Sequence, residues 1–490
     1  MGQWFFMEFY YRVVYQVMAS DSTTRPHRIH LRPSEQRAIL FTGDIIVTIL
    51  AMILALYYWA YQDLQLDFSL QFILQRAGWF YLLPIGWLLL LVDLYDVHRA
   101  GDLRETVKGI AVAAIAGFVV YAIIYLLSPR SSLPRLGVGA FLALAAVLTF
   151  LWRLAYIRLY TDPAFMRKVL IVGAGVAGTS LAEAYRKLWP PPFFLVGFID
   201  DDLSKIGTAI EGFPVLNGSD RLLDIIDEQS ITDIIVAING EIQGNTFQKI
   251  LDVQEKGIEI MRMQTIYEEL LGRVPIQHLE SDWIIRSFVD ETRLHGLYEI
   301  GKRLLDIIGA IAGIMILVIL FPIIAFVTVL DTGFPVIYKQ VRLGRGAKPY
   351  TIIKFRTMRK DAESDGKARP AARNDPRITR VGNVLRKTRI DELPQFLNVL
   401  RGEMSIVGPR SERPELVEYY QSQIPFYRAR LLVKPGISGW AQINYGYAST
   451  VEDTIIKLEY DLYYIKHRSL LTDISIILRT IGIALGFRGR

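Results

Sequence analysis

The sequence predicts a membrane protein that mixes α and α/β architecture: a four-helix transmembrane bundle, a small doubly wound α/β domain, and a second α/β domain carried on a re-entrant membrane helix. Three observations predict it. Hydrophobic residues make up 52% of 490 positions, and they gather into blocks near the ~20 residues that a helix needs to cross a bilayer. A strand-like run leads into a glycine-spaced turn at residues 173–178. The charge is uneven: residues 331–490 carry 28 Lys and Arg against 16 Asp and Glu, whereas residues 1–330 carry 27 against 33.

The aromatic start, residues 1–20, lacks a basic leader, a plain apolar core and a small-residue cleavage site, so it does not read as a signal peptide. Residues 1–38 form an N-terminal cytoplasmic or interfacial segment with Arg25, Arg28, Arg32 and Arg37. Four apolar segments follow at 39–60, 78–95, 108–128 and 136–156, within a membrane region of 39–160. The second is the weakest, since Pro84 interrupts it and Asp93 lies near its end. Bases at His98, Arg99, Arg104 and Lys108, and at Arg158, Arg167 and Lys168, place those flanks in the cytoplasm. Arg76, Arg130 and Arg135 are the few bases on the other side.

Residues 165–265 read as a Rossmann-like domain. The run at 168–172 enters Gly173-x-Gly175-x-x-Gly178 and then a helical stretch, the context in which glycines let a backbone approach phosphate at a helix N-terminus. Further strand-like runs lie at 193–202, 232–238 and 258–263. Asp200 stands where a ribose-binding acid is expected, so Gly173, Gly175, Gly178 and Asp200 are candidate nucleotide-binding residues, the nucleotide itself being unknown. No redox apparatus follows, and a structural or regulatory role is equally open. Residues 266–299 read as a linker.

The fifth apolar run, 302–330, opens the last domain, residues 300–490. A full crossing would put the basic part outside, against the positive-inside bias. Pro322 must kink or break a helix, so a helix that enters, bends at Pro322 and leaves by the same face resolves the conflict; a fifth full span is the alternative. Strands are expected at 336–345 and 349–358, a polar loop at 360–377, and helices within 457–485. Tyr460, Tyr463 and Tyr464 suit either a headgroup zone or a tyrosine-lined core.

Composition excludes several chemistries. With no cysteine, disulfides, thiolate metal sites and cysteine nucleophiles are ruled out. A basic region beside a membrane segment calls for an anionic partner, and no nucleic-acid motif is present. The richest stretch is 377–410, where Asp391-Glu392 sits between Arg380, Arg386, Lys387 and Arg389 on one side and Arg401 and Arg410 on the other. Paired carboxylates among guanidinium groups suit a divalent cation together with phosphate. A solvated helix with i,i+4 ion pairs is the plainer alternative.

Five motifs then occur in one order: KRLLD (302–306), KQVRLG (339–344), KFRTM (354–358), RIDELPQFLNVLRGEMSIVGPR (389–410) and KPGISGWAQI (434–443). Together they resemble the bacterial sugar transferases, the polyprenyl-phosphate hexose-1-phosphate transferases or monotopic phosphoglycosyl transferases. Four spans followed by a Rossmann-like domain also look like that family's large members. The resemblance implies an enzyme that moves a hexose-1-phosphate from a UDP-sugar to undecaprenyl phosphate, releases UMP, and starts an exopolysaccharide, capsule or O-antigen unit. It implies ping-pong chemistry with Asp391 as nucleophile, and Glu392 assisting through Mg²⁺ or by deprotonating the lipid phosphate. Asp391 and Glu392 would then be the metal ligands, and Arg386, Arg410, Lys354 and Arg356 the phosphate-binding residues. The cations are expected to keep Asp391 ionised.

The implied location is the bacterial inner membrane, with both α/β domains on the cytoplasmic face, membrane lipid as a partner and a homodimer allowed by the embedded surface. Two positions depart from the family pattern. Pro409-Arg410-Ser411 replaces Pro-Arg-Pro, which loosens the loop holding Arg410, and Phe321-Pro322 replaces Ser-Pro at the helix bend. Two other functions are compatible with the residues: a membrane-tethered NAD-dependent nucleotide-sugar dehydratase or oxidoreductase built on the glycine turn, and a non-catalytic scaffold for polysaccharide assembly.

Overall fold

The computed structural model describes residues 33–63, 68, 78–95, 97–127, 135–160, 166–188, 191–242, 244–279, 295–359, 362, 375–446 and 450–485. The expectations for residues 1–32, most of the 360–377 loop and residues 280–294 lie outside the described residues. The chain divides into two compact units, Met1–Ile266 and Tyr267–Arg490.

In the first unit, α1 (Pro33–Asp63), α3 (Leu103–Leu127) and α4 (Arg135–Tyr160) are long and apolar. The second expected span differs. It forms a 3₁₀ turn at Gly78–Leu82, the eight-residue α2 (Leu83–Leu90) and a further 3₁₀ turn at Val92–Tyr95. Pro84 sits in the first turn of α2, the one place where its missing N–H is harmless, and the preceding residues cannot continue into it as regular helix. These pieces share a core of Leu56, Trp59, Phe80, Trp87 and Phe141. A buried ion pair crosses it: Arg153 Nη2 lies 2.6 Å from Asp44 Oδ2, with both side chains 0% exposed. Arg153 also donates to the Leu94 carbonyl at 2.7 Å, tying α4 to the broken segment. Outward faces carry Ile46, Ile115, Phe118, Leu126 and Val147, an apolar surface that suits lipid.

The same unit holds a sheet in the order β3-β4-β2-β1-β5-β6. β1 (Lys168–Val172) lies central, paired in parallel with β2 (Phe194–Ile199) and β5 (Asp233–Val236). β4 (Phe213–Asn217) and β6 (Glu259–Arg262) extend the parallel sheet on either side, and β3 (Ala209–Ile210) pairs antiparallel at one edge. The chain is therefore wound outward in both directions from β1. Every residue of β2 is buried, as a strand covered on both faces must be. Helix α5 (Val176–Arg186) starts at Gly175, and α6 (Leu222–Gln229), α7 (Gly244–Glu255) and α8 (Met263–Leu271) follow along the chain. A Cβ on Gly178 would sit 2.1 Å from the Gly173 carbonyl oxygen, so only glycine lets the helix pack so near the turn.

The second unit is organised by α9 (His295–Thr332), 38 residues and thus about 57 Å long. The break expected at Pro322 does not occur, and the helix runs on through it. The KRLLD residues clamp one end. Lys302 Nζ reaches Asp473 Oδ2 at 3.0 Å and the Val407 carbonyl at 3.1 Å, while Arg303 donates to the carbonyls of Val399 and Leu400. Asp306 Oδ1 accepts from Ser405 Oγ at 2.8 Å and Ile406 N–H at 2.9 Å. Farther along, Leu317 and Ile324 share a core with Phe355 and Leu385, holding the helix on both sides of Pro322. The opposite side is bare and apolar, with Leu304, Ile308, Met315, Ile319, Ile323, Phe326 and Leu330 all more than half exposed.

Residues 336–345 and 349–358 supply the hairpin of β7 (Ile337–Leu343) and β8 (Pro349–Phe355). Residues 267–279, expected in a linker, instead dock on this unit: Val274 N–H bonds the Glu459 carbonyl, and Trp440 Nε1 bonds that of Gly272. For α10 (Val451–Lys466), the tyrosine-lined core is the arrangement found. Tyr464 is buried and donates to Asp473 Oδ1 at 2.8 Å, and Tyr463 stacks on Trp440.

Asp306→Ala should lower stability by about 1–3 kcal/mol, because a buried and a part-buried donor lose their acceptor. The check is the thermal unfolding midpoint of the detergent-solubilised protein, which should drop by several degrees; an unchanged midpoint would show that the clamp contributes nothing.

Candidate active site

The carboxylate pair lies on a 3₁₀ turn, Ile390–Gln395. Its geometry starts one residue earlier, where Arg389 takes the left-handed conformation at φ 56°, an unfavourable choice for a long side chain that turns the chain sharply out of the preceding helix. That helix, Arg380–Lys387, is capped by Thr379 Oγ1, which accepts from Gly382 N–H at 2.9 Å. Gly382 permits a close crossing, since a Cβ there would fall 2.1 Å from the Thr357 carbonyl oxygen. The crossing sets the helix, and hence Arg386, against the end of β8.

Both carboxylates are buried, with Asp391 and Glu392 each 6% exposed. Glu392 Oε1 accepts from Lys354 Nζ at 3.1 Å and pairs with Arg410 Nη2 at 3.0 Å; Glu392 Oε2 lies 3.9 Å from Arg389 Nη1. Burial opposes its charge, but Lys354, Arg410 and Arg389 together hold its carboxyl well below the usual range. Asp391 behaves differently. Burial and then the neighbouring Glu392 charge push it up to about 6, against the pull of Lys354, Arg386 and Arg410. Desolvation and a like charge at the next residue thus outweigh the cations expected to keep Asp391 ionised, and its proton affinity rises.

Lys354, Arg386 and Arg410 thus converge on the dyad. Arg356 is different. Its backbone N–H bonds the Val336 carbonyl, its Nη1 is buried without a hydrogen-bond partner, and no ion pair joins it to the dyad among the described residues. Glu392 Oε2, Arg389 Nε and Gln395 Nε2 are likewise buried and unbonded. Buried polar atoms without partners are costly, and here they comprise one carboxylate oxygen and several donors, a set that fits a cation and phosphate oxygens. Among the described residues no group of three or more acidic or histidine side chains is placed to hold a metal. Two carboxylates nonetheless suffice for Mg²⁺ when phosphate and water fill its other positions.

Sequence reading missed three neighbours. Arg389 was visible as a flank, and its i,i+3 spacing to Glu392 was the available signal. Arg430 gave none, lying far along the chain. It is buried, bonds Tyr427 and Asp461, and donates to the Arg410 carbonyl at 3.0 Å, fixing the backbone that presents that guanidinium. Lys457 feels the charges of Glu412, Arg410, Arg430 and Asp461, and burial pushes it below the usual lysine range. The loop at Ser411 is not loose: Arg342 Nη1 donates to the Ser411 carbonyl at 3.1 Å, and Leu343 N–H to that of Glu412 at 3.1 Å.

The glycine turn of the first unit forms a separate constellation. Gly173 has φ 110°, and Gly175 caps α5. Asp200 folds back on the turn: its Oδ2 accepts the Ala174 N–H at 2.7 Å, and Lys205 Nζ lies 3.2 Å away. That amide is already bonded, and a carboxylate fills the mouth of the turn.

Comparison with known proteins gives these arrangements a context. A family model for bacterial sugar transferases matches residues 297–486, and one for a CoA-binding domain matches residues 91–256. The chain is 43% identical over 234 residues to the UDP-N-acetylgalactosamine-undecaprenyl-phosphate N-acetylgalactosaminephosphotransferase of Aeromonas hydrophila, covering 48% of this chain and 54% of that one. It is 44% identical over 196 residues to the UDP-glucose:undecaprenyl-phosphate glucose-1-phosphate transferase of Escherichia coli K12, covering 39% and 41%. These two matches thus span about half of each relative's length. A protein of the same printed name from Xanthomonas campestris pv. campestris is 30% identical over 414 residues, covering 81% of this chain and 84% of the relative. With the transferase motifs and a match of that extent, the chain belongs to the bacterial sugar transferase family.

Proposed function

We propose that this protein is a membrane enzyme that transfers a hexose-1-phosphate from a UDP-sugar to undecaprenyl phosphate, releasing UMP, as the first membrane step of exopolysaccharide, capsule or O-antigen synthesis. The observation that carries the reading is the buried Asp391-Glu392 pair with Lys354, Arg389 and Arg410 around it. The relatives' names, all of undecaprenyl-phosphate sugar-phosphate transferases, support it.

An Asp391 carboxylate oxygen attacks the phosphorus that bears the sugar. An oxygen–phosphorus bond forms as the bond from that phosphorus to the UMP oxygen breaks, and UMP leaves with the electron pair. A phosphate oxygen of undecaprenyl phosphate then attacks the same phosphorus, displacing Asp391 and regenerating its carboxylate. Burial and the Glu392 charge make Asp391 more basic than an ordinary aspartate, which favours attack by its ionised form. Glu392, held deprotonated, is a poor base for the lipid phosphate, so we assign it to charge positioning and metal binding. Mg²⁺ held by Asp391 and Glu392 would offset the charge that develops on the phosphate oxygens. Arg386 and Arg410 grip those oxygens, with Lys354 beside them and Arg356 offering its unbonded Nη1.

The α9 helix is read as re-entrant. The same body grips it at Lys302–Asp306 and again around Leu317 and Ile324, which favours a helix that enters and leaves by the same face over one that crosses away from its domain. The flanking bases favour a cytoplasmic placement of both α/β parts, and the inner membrane is the location that family membership implies. The first unit's sheet is read as Rossmann-like, and the commitment of the Ala174 amide to Asp200 favours a structural role over cofactor binding.

The reading is tested by UMP release from the solubilised protein with a panel of UDP-sugars, Mg²⁺ and undecaprenyl phosphate. Asp391→Asn should cut release by about 10³-fold or more; near wild-type turnover in that variant would overturn the assignment. The pH profile gives an independent check. Because the attacking group is the ionised form, wild-type kcat/KM should fall as pH drops through about 6. Arg386→Gln removes a charge that lowers the Asp391 value, so its acid limb should move up; residual activity of Glu392→Gln, which removes the like charge, should have its limb lower.

A further inference from the structure

Helix α9 carries a second charged face that chemistry at Asp391 leaves unused. Glu299, Lys302, Arg303 and Asp306 recur at the three- and four-residue spacing that aligns side chains along one side of a helix. With Arg345, Lys434 and Arg468 they line a cleft, five cations against two carboxylates. Both carboxylates are engaged: Asp306 accepts from Ser405 and Ile406, and Glu299 lies 3.8 Å from Arg468. Lys302 is committed to Asp473.

Three cations make no ion pair among the described residues. Arg303 is bonded only to the neutral carbonyls of Val399 and Leu400, and the side chains of Arg345 and Lys434 have no ion pair among the described residues. A Cβ placed on Gly402 would lie 3.8 Å from Arg303 Cζ and 3.7 Å from Lys434 Nζ, so the two heads converge over one turn. Partial burial and then Arg303 push Lys434 below the usual lysine range, with Arg345 adding to them against the pull of Asp306 and Glu299. Converging like charges in a cleft are unfavourable alone and favourable around an anion. The cleft also borders the bare side of the helix, where Ile300 and Leu304 are 69% and 58% exposed.

We propose that this cleft is a phosphate-binding site separate from the Asp391-Glu392 pair, formed by Arg303, Arg345 and Lys434 and occupied by the headgroup phosphate of an anionic phospholipid. The acyl chains would lie along Ile300 and Leu304 while the phosphodiester sits among the cations. Its chemistry is that of any phosphate anion, and the adjoining apolar strip is what favours the lipid.

The test uses the full chain in nanodiscs of phosphatidylcholine, with or without phosphatidylglycerol. The readout is amine acylation of Lys434, followed by mass spectrometry, with exposed Lys348 as the internal reference. Phosphatidylglycerol should slow Lys434 labelling several-fold without slowing Lys348, and an Arg303→Gln/Arg345→Gln double variant should abolish the protection. Protection by inorganic phosphate in phosphatidylcholine discs, with none from phosphatidylglycerol, would keep the phosphate site and overturn the lipid occupant. Equal labelling in every condition, or protection that survives the double variant, would overturn the site.

Discussion

Two adjacent carboxylates are buried together at Asp391 and Glu392, and much of the second unit can be understood as the means of holding them there. An uncompensated buried carboxylate is a large cost, and a second beside it adds repulsion. The chain answers with Lys354 from a strand, Arg389 from a strained turn and Arg410 from a loop, all on Glu392. Their attention is unequal. Glu392 takes the ion pairs and stays charged, whereas Asp391 keeps a raised affinity for protons. One carboxylate is thereby fixed as part of the scaffold, and its neighbour is left chemically available.

Holding three cations around one carboxylate requires rigid supports, and these come from unrelated parts of the sequence. Arg430 fixes the Arg410 backbone, and Arg342 fixes that of Ser411. Asn398 bonds the Thr351 carbonyl and the Ile353 N–H, locking β8 and with it Lys354. The α9 clamp at Lys302, Arg303 and Asp306 binds the strand and turn that precede Arg410. The membrane-facing helix and the carboxylate site are therefore one mechanical piece, which is how a soluble donor and a lipid-borne acceptor could meet at a single aspartate.

How far this was legible in the sequence depended on the kind of information each feature needed. Local periodicity was enough for β1, β2 and the β7–β8 hairpin, and spacing was enough to gather Asp391, Glu392, Arg386 and Arg410. The break around Pro84 was visible as a weakness, but its resolution into two 3₁₀ turns and a short helix depended on packing against Trp59 and Phe141. Arg430 and Lys457 could not be found, because their relation to Arg410 exists only after the chain folds back on itself. The raised proton affinity of Asp391 was not legible for a similar reason: a string of bases favours the ionised form, while depth of burial, which the string does not contain, sets the larger contribution. Asp200 was correctly placed at the end of its strand, yet its commitment to Ala174 is a matter of side-chain direction alone.

The central claim is that Asp391 carries the sugar phosphate between the two substrates. The most direct measurement is a single-turnover experiment with a UDP-sugar labelled at the sugar-linked phosphate, in the absence of undecaprenyl phosphate. The account predicts a burst of UMP and one label per active protein, located at Asp391, absent from Asp391→Asn and discharged when the lipid phosphate is added. Full turnover with both substrates but no label on the protein in their separate presence would contradict it, and would point to direct transfer between the bound substrates.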